Sequence, residues 1–382
     1  MLPGTGKRRS QWNRQPGWVF HLVACSTPTI VVHRIAAVLR PIPVSLGDGR
    51  HNMLLEEVHM LKGWQFNGTD QPLEWVEKDM PELKPGYCLI KVLACGLCHS
   101  DTSALHDPGW LELISTPRIL GHETAGEIIA VTDDVTDFKV GDRVAIWPMY
   151  STIDGTAQGY TRDGGYANYT AAPQDVLVKV PDNVDIVQAA ASTDAGMTSY
   201  HAVMDRAEAG PGKKVGIIGV GGLGRVGTRI AVLSGAEVYC ATRKEKAQQD
   251  ALELGATKVA ASILDFKDDQ LDVIVDFAGA GKTTSDALLA VKPGGRVVVV
   301  GMTKLETTVN TNAMINMQTE LRGSVGGTKE SIENVIALMA KGDLRINAIE
   351  TTLDKVPEGL DLLDGAGVPG RLVMRTQDSD YE

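Results

Sequence analysis

Val215-Gly216-Ile217-Ile218-Gly219-Val220-Gly221-Gly222-Leu223-Gly224 joins an apolar run to a G-x-G-x-x-G and leads into a segment of helical character, Leu223 to Ser234. In that context the glycines have separate tasks. Gly219 allows the tight turn after a strand, Gly221 lets the backbone approach a pyrophosphate, and Gly224 lets helix and strand pack closely, while unpaired amides at the helix start face the phosphate. Gly219, Gly221, Gly222, Leu223 and Gly224 are therefore read as a dinucleotide-binding turn. Around it, strands expected at Val215 to Gly219, Glu237 to Ala241, Asp272 to Asp276 and Arg296 to Val300 alternate with helical stretches Glu245 to Leu254 and Thr283 to Val291. That alternation predicts an α/β fold with a doubly wound parallel sheet.

Upstream the pattern changes. From Met60 to about Ala190, short β-rich runs at Tyr87 to Ala94, Ala125 to Val131, Arg143 to Trp147 and Val176 to Val180 are separated by turns such as Gly141-Asp142 and Gly164-Gly165, which predicts a small antiparallel barrel or sandwich. A chain of 382 residues with 43% hydrophobic content has material for two domains. The net charge of -11 conceals an asymmetry: residues 1–59 hold seven Lys/Arg against Asp48, Glu56 and Glu57, so the remainder carries a balance of -15. Such a surface repels phosphate backbones and anionic membranes, which argues against nucleic acid and membrane partners. No apolar run approaches membrane-spanning length.

Residues 1–59 stand apart. Basic residues at Lys7, Arg8, Arg9, Arg14, Arg34 and Arg40 and short apolar patches allow three readings: a secretory or lipoprotein leader ending at Leu22-Val23-Ala24-Cys25, a transit peptide, or a non-native extension from an upstream start codon. The third is favoured, because Met60-Leu61-Lys62-Gly63-Trp64 reads as the opening of the domain that follows.

Five cysteines, at 25, 88, 95, 98 and 240, are too few and scattered for a disulfide framework. A reducing, cytoplasmic location follows as the expectation. Cys95 and Cys98 form a C-x-x-C, open in isolation to a redox pair or half a zinc knuckle. No second C-x-x-C follows, and Leu89 to Ala94 reads as a strand leading into the motif, so one metal ligand at Cys98 with a structural Cys95 fits better. Gly96-Leu97-Cys98-His99-Ser100-Asp101 and Gly121-His122-Glu123-Thr124-Ala125-Gly126 place a thiolate, an imidazole and a carboxylate on glycine-flanked segments. Those groups upstream of a dinucleotide turn suit a Lewis-acid zinc beside a nicotinamide, and hence hydride transfer at an alcohol carbon.

The end of the second strand should select the nicotinamide cofactor. An acidic residue there would accept from the ribose 2′-hydroxyl of NAD, but Val238-Tyr239-Cys240-Ala241 runs into Thr242-Arg243-Lys244. A hydroxyl followed by two cations suits a 2′-phosphate, with Arg243 as a planar fork. NADP is favoured over NAD, the alternative being a solvated helix start.

With Gly141-Asp142-Arg143-Val144, Gly164-Gly165-Tyr166-Ala167 and Val291-Lys292-Pro293-Gly294-Gly295-Arg296 added to these motifs, residues 60–382 resemble the zinc-dependent medium-chain alcohol dehydrogenases. The resemblance implies a GroES-like β-rich catalytic domain over 60–194, a Rossmann domain over 195–325, and completion of the catalytic domain by 326–382. It implies Cys98 and His122 as catalytic zinc ligands. Asp194, in Ser192-Thr193-Asp194-Ala195-Gly196, falls where a third ligand, usually cysteine, is found; the alternative for it is a helix cap. Glu123 resembles a glutamate that can enter the coordination sphere, a reading balanced against a structural one. Ser100 matches the hydroxyl that takes the alcohol proton, and Asp101 the carboxylate that orients the histidine ligand. Ser103 stands where many relatives end the proton relay with a histidine, leaving water or His106 as substitutes. Thr198 would pack on the nicotinamide, and His99 and Arg371 would lie near the pyrophosphate.

Relatives with a second, structural zinc bear four cysteines after the Gly-Asp-Arg-Val segment, whereas Ala145 to Arg162 has none; one catalytic zinc and no structural zinc are implied. Trp147, Pro148, Tyr150 and Tyr160 rebuild that lobe for packing or an oligomer contact, and Trp110 and Trp147 lie near the expected substrate pocket or are ordinary buried aromatics. The implied activity is reversible oxidation of an alcohol to an aldehyde or ketone by a homo-oligomer, dimer or tetramer. The competing readings are a zinc-independent NADPH-dependent enone or quinone reductase of the same superfamily and a non-enzymatic binding protein on that fold.

Overall fold

The computed structural model describes residues 60–365 and 368–381; the expectations for residues 1–59 lie outside them. The apolar run that opens the glycine motif forms the inner strand of a six-stranded parallel sheet. In chain order its strands are β1 (Lys214–Ile218), β2 (Glu237–Ala241), β3 (Lys258–Ala260), β4 (Leu271–Asp276), β5 (Val291–Val299) and β6 (Glu320–Gly323). In space they run β3-β2-β1-β4-β5-β6. Side chains alternate between two cores: Val215, Ile217, Val238, Cys240, Val273 and Val275 enter one, and Ile218, Tyr239, Ala241 and Ile274 the other. Both faces are thus covered by helices, as a parallel sheet requires. Helices α1 (Gly222–Leu233), α2 (Glu245–Glu253) and α3 (Lys282–Ala290) supply crossovers, close to their expected bounds. The short strands β3 and β6 are additions that periodicity did not reveal. Strand order reverses between β1 and β4, so the crevice at their carboxyl ends is where ligands bind in such sheets. Gly219 follows β1 there with φ +84°.

The β-rich part forms a second, largely antiparallel sheet. Its spatial order is Ala348–Thr352, Arg371–Arg375, Tyr87–Gly96, Glu123–Val131, Arg143–Ile146 and Leu177–Lys179, with Tyr169–Pro173 also on Tyr87–Gly96. The late strand Arg371–Arg375 pairs antiparallel with the early one, Val373 opposite Gly96. Residues from the end of the chain therefore close the sheet begun near residue 87. Leu61–Phe66, Glu74–Lys78 and Arg118–Ile119 make a smaller sheet over a core that includes Phe66, Leu97, Ile119 and Leu372.

Candidate active site

Three short segments converge at the junction of the two sheets. The first is the end of Tyr87–Gly96, where Cys98 caps the helix His99–His106 and Asp101, three residues on, accepts from the Cys98 backbone N–H at 3.1 Å. That reciprocal cap fixes the turn carrying Cys98. The second is Gly121, at φ +94°, which turns the chain so that His122 and Glu123 enter the next strand buried. The third is a helix from Ile186 that widens into a π-helical turn over Ser192–Gly196, with Asp194 on that turn; such turns gather at functional sites. One ligand atom from each of Cys98, His122, Glu123 and Asp194 lies within 4.8 Å of the others.

His122 is held from behind. Its Nδ1 is 3.4 Å from Asp101 Oδ1, and Asp101 Oδ2 accepts from the Tyr166 hydroxyl at 2.7 Å. Burial raises the Asp101 pKa, but the charge and hydrogen bond of His122 and the bonds from Tyr166 and Cys98 outweigh it and hold the carboxyl below its ordinary value. Burial likewise opposes a charged His122, yet Tyr160 and Asp101 hold that imidazole well above its usual pKa. The sequence offered no signal for Tyr166 or Tyr160 here. The Tyr160 ring stacks obliquely on His122, centroids 5.5 Å apart, so this residue belongs to the site, whereas it was expected only to rebuild a lobe. Ser100 Oγ is buried beside the Tyr160 hydroxyl.

Arg371 lines the cleft at the glycine turn with Gly222 and has partners the sequence did not indicate. Its guanidinium, expected near the pyrophosphate, is buried between two carboxylates of the cluster: Nε donates to Glu123 Oε2 at 2.9 Å, Nη2 to Asp194 Oδ2 at 2.7 Å, and Nη2 also pairs with Glu123 Oε1. Two carboxylates this close need a cation. Gly96 opposite Glu123 makes the approach possible, because a Cβ there would stand 2.1 Å from Glu123 Oε2. Thr198 also faces the ligand set, donating to Asp194 Oδ1 at 2.8 Å, while its neighbour Ser199 donates to the Leu223 carbonyl at 2.9 Å. One helix thereby ties Asp194 to the glycine turn.

At that turn, a Cβ on Gly221 would meet nothing within 4 Å, whereas one on Gly224 would stand 1.8 Å from the Gly219 carbonyl oxygen. Gly222 faces only the Gly370 carbonyl, at 3.8 Å from such an atom. The turn is therefore open above Gly221 and closed beneath Gly224. Thr242 is half-buried at the end of β2, and Arg243 and Lys244 are exposed. His99 is exposed at the first turn of its helix, and His106 is exposed opposite Asp364 at 4.0 Å.

The remaining expectations divide. Burial pushes the Cys95 thiol up to about 12, which fits a structural group. Trp147 is half-buried and its indole donates to the Gly327 carbonyl at 2.9 Å, so it ties the β-sheet to the segment before Lys329–Ala340. Trp110 packs on the core beneath the smaller sheet. The lobe without cysteines is organised by buried Arg162, which donates to Gln158 Oε1 at 2.9 Å and to the Thr156 carbonyl at 3.0 Å.

Comparison with known proteins identifies the family. Residues 84–182 match the alcohol dehydrogenase GroES-like domain, and residues 222–341 match the zinc-binding dehydrogenase family. An alcohol dehydrogenase of Geobacillus stearothermophilus is 31% identical over 343 residues, covering 83% of this chain and 100% of that protein. Acetophenone reductase from Geotrichum candidum, solved in complex with NAD, superposes with a TM-score of 0.76 at 29% identity, covering 83% of this chain and 97% of that one. The alcohol dehydrogenase of Aeropyrum pernix gives 0.75 at 26% identity, covering 82% and 99%. With a glycine turn and a cysteine–histidine–carboxylate cluster bound by one helix, and with relatives matching along nearly their whole length, the chain belongs to the zinc-type medium-chain dehydrogenase/reductase family as a nicotinamide-dependent alcohol dehydrogenase.

Proposed function

We propose that this alcohol dehydrogenase uses one zinc ion per subunit, held by Cys98, His122 and Asp194, and prefers NADP to NAD. The observation that carries the reading is the convergence of four donor atoms within 4.8 Å, a sulfur, an imidazole nitrogen and carboxylate oxygens, which is a donor set zinc accepts. When bound, zinc supplies a Lewis acid that makes an alcohol hydroxyl easier to deprotonate, and the nicotinamide supplies a hydride acceptor.

The residues account for the rest. Ser100 Oγ, buried beside the Tyr160 hydroxyl, accepts the proton leaving the alcohol and passes it outward; with Ser103 in place of a histidine, water completes the path. Asp101 and Tyr166 fix the orientation of His122 from behind. The bond from Thr198 to Asp194 Oδ1 at 2.8 Å supports reading Thr198 as the residue that packs on the nicotinamide. Arg243 and Lys244, exposed beside Thr242, offer charge-assisted hydrogen bonds to a 2′-phosphate, and residues 242–244 include no carboxylate.

Two coarser features join this reading. Among the described residues, edge strand β6 has a neighbour on one side only, and Leu321, Val325 and Ile315 around it are exposed. A second copy of the chain would cover that edge, supporting a homo-oligomer. Cys88, Cys95, Cys98 and Cys240 are free thiols, which supports a reducing, cytoplasmic setting; among the described residues no helix is long and apolar enough to cross a membrane. Small alcohols, aldehydes and ketones are the substrates to test. Purified enzyme should oxidise members of an alcohol panel and lose that activity when zinc is withdrawn and regain it on zinc addition. Full turnover by metal-stripped protein, or reduction of an enone but no alcohol oxidation, would overturn the reading.

A further inference from the structure

Asp276 ends strand β4 fully buried, and four neutral donors converge on its side chain. Oδ1 accepts from the backbone N–H groups of Ala278 at 3.0 Å and Gly279 at 2.9 Å, and Oδ2 accepts from the hydroxyls of Thr283 and Thr284, both at 2.8 Å. The side chain thereby sets the shape of the loop 277–281, which passes through Gly279 at φ +53° and Gly281 at φ +73°. A second loop hangs on the first. The Ala278 carbonyl accepts from Thr303 Oγ1 at 2.8 Å and the Gly279 carbonyl from the Lys304 N–H at 2.8 Å, so the residues after β5 follow those after β4. Asp276 also pairs with Ile218 across β4 and β1, the two strands between which the order reverses. Ala278 lies directly against the glycine turn, since a Cβ on Gly219 would stand 3.0 Å from its methyl group.

A doubly wound sheet of this kind takes one mononucleotide on each half. The half built on β1, β2 and β3 carries the glycine turn and the strand end where the adenosine ribose is read, which leaves the loops after β4 and β5 for the nicotinamide mononucleotide. We propose that Asp276 is a positioning residue for that half of the dinucleotide, holding both loops in the shape that receives it before it binds. Without the side-chain acceptor the N–H groups of Ala278 and Gly279 would be left unpaired, and a buried donor without a partner costs more than the bond itself contributes. The loops would turn to satisfy them elsewhere, and the cofactor would have to reorder the loops on binding. The inference rests on the nicotinamide-dependent activity and not on the reading of the zinc ligands.

The test compares the binding of two ligands of different length by the purified enzyme. NADPH spans both halves of the sheet, whereas adenosine 2′,5′-bisphosphate ends at the first; NADH and AMP are the matching pair, and are used if they bind more tightly. Asp276→Ala should weaken NADPH at least about tenfold and leave the bisphosphate within about twofold of the wild type. Asp276→Asn keeps an oxygen for the two N–H groups and offers its amide to two hydroxyls that can rotate to accept, so it should bind both ligands within about threefold of the wild type. If the alanine variant does not fold, Thr283→Val combined with Thr284→Val frees Oδ2 and leaves the carboxylate in place, and should show the same split at about threefold or more. Equal weakening of both ligands would make Asp276 a support of the whole domain, and unaltered NADPH binding by the folded variants would detach the loops from its side chain; either result overturns the proposal. So would an asparagine variant as impaired as the alanine one.

Discussion

Nδ1 of His122 lies 3.4 Å from Oδ1 of Asp101, and both groups are buried. Asp101 titrates below its ordinary value because His122, Tyr166 and Cys98 stabilise its charged form against burial. A depressed carboxylate stabilises the fold above its unfolded pKa and loses that contribution as pH falls through the folded value. Asp101→Asn should therefore cost about 1.5–3 kcal/mol near neutral pH, and the gap from wild type should narrow below about pH 3.9. Urea unfolding at a series of pH values measures it. A gap unchanged down to pH 3 would mean that the carboxylate contributes no charge-assisted bond.

The glycine turn separates two kinds of substitution. Gly221→Ala puts its Cβ into open space, so thermal stability should hold while dinucleotide affinity falls at least about tenfold, or about 1.4 kcal/mol. Gly224→Ala drives its Cβ into the Gly219 carbonyl and should destabilise the fold itself by about 1–3 kcal/mol. Melting curves and dinucleotide titrations on both variants decide. Unaltered binding by the Gly221 variant would place the pyrophosphate elsewhere.

Much of this was legible in the sequence because the informative signals are local. A glycine motif after an apolar strand, or a cysteine three residues before a capping aspartate, depends on neighbours a few residues apart. The strands β1, β2, β4 and β5 were recoverable for the same reason. Arg371 was not, since its pairing with Glu123 spans 248 positions and exists only because Arg371–Arg375 returns to lie against Tyr87–Gly96. Tyr160 and Tyr166 were missed likewise: nothing in Gly159-Tyr160-Thr161 or Gly165-Tyr166-Ala167 marks a ring that meets His122 or a hydroxyl that meets Asp101. β3 and β6 are too short for alternation to register.

Cofactor preference turns on residues 242–244. Replacing Thr242 with Asp and Arg243 with Ala supplies an acceptor for a 2′-hydroxyl and repels a 2′-phosphate. The wild type should show the higher kcat/KM with NADP, and the double variant should invert the ratio. A wild type that favours NAD, or a ratio the substitutions leave alone, would put Arg243 and Lys244 in solvent and move the discriminating contact elsewhere.

Metal content measured on purified protein, with Asp194→Ala beside the wild type, tests the central claim most directly. Cys98, His122 and Asp194, with Glu123 in the same cluster, are the proposed ligands, and a zinc site that loses an anionic ligand loses most of its affinity. About one zinc per subunit is expected in the wild type and almost none in the variant, with dinucleotide binding retained in both. Unchanged zinc in Asp194→Ala, or two zinc ions per wild-type subunit, would contradict it.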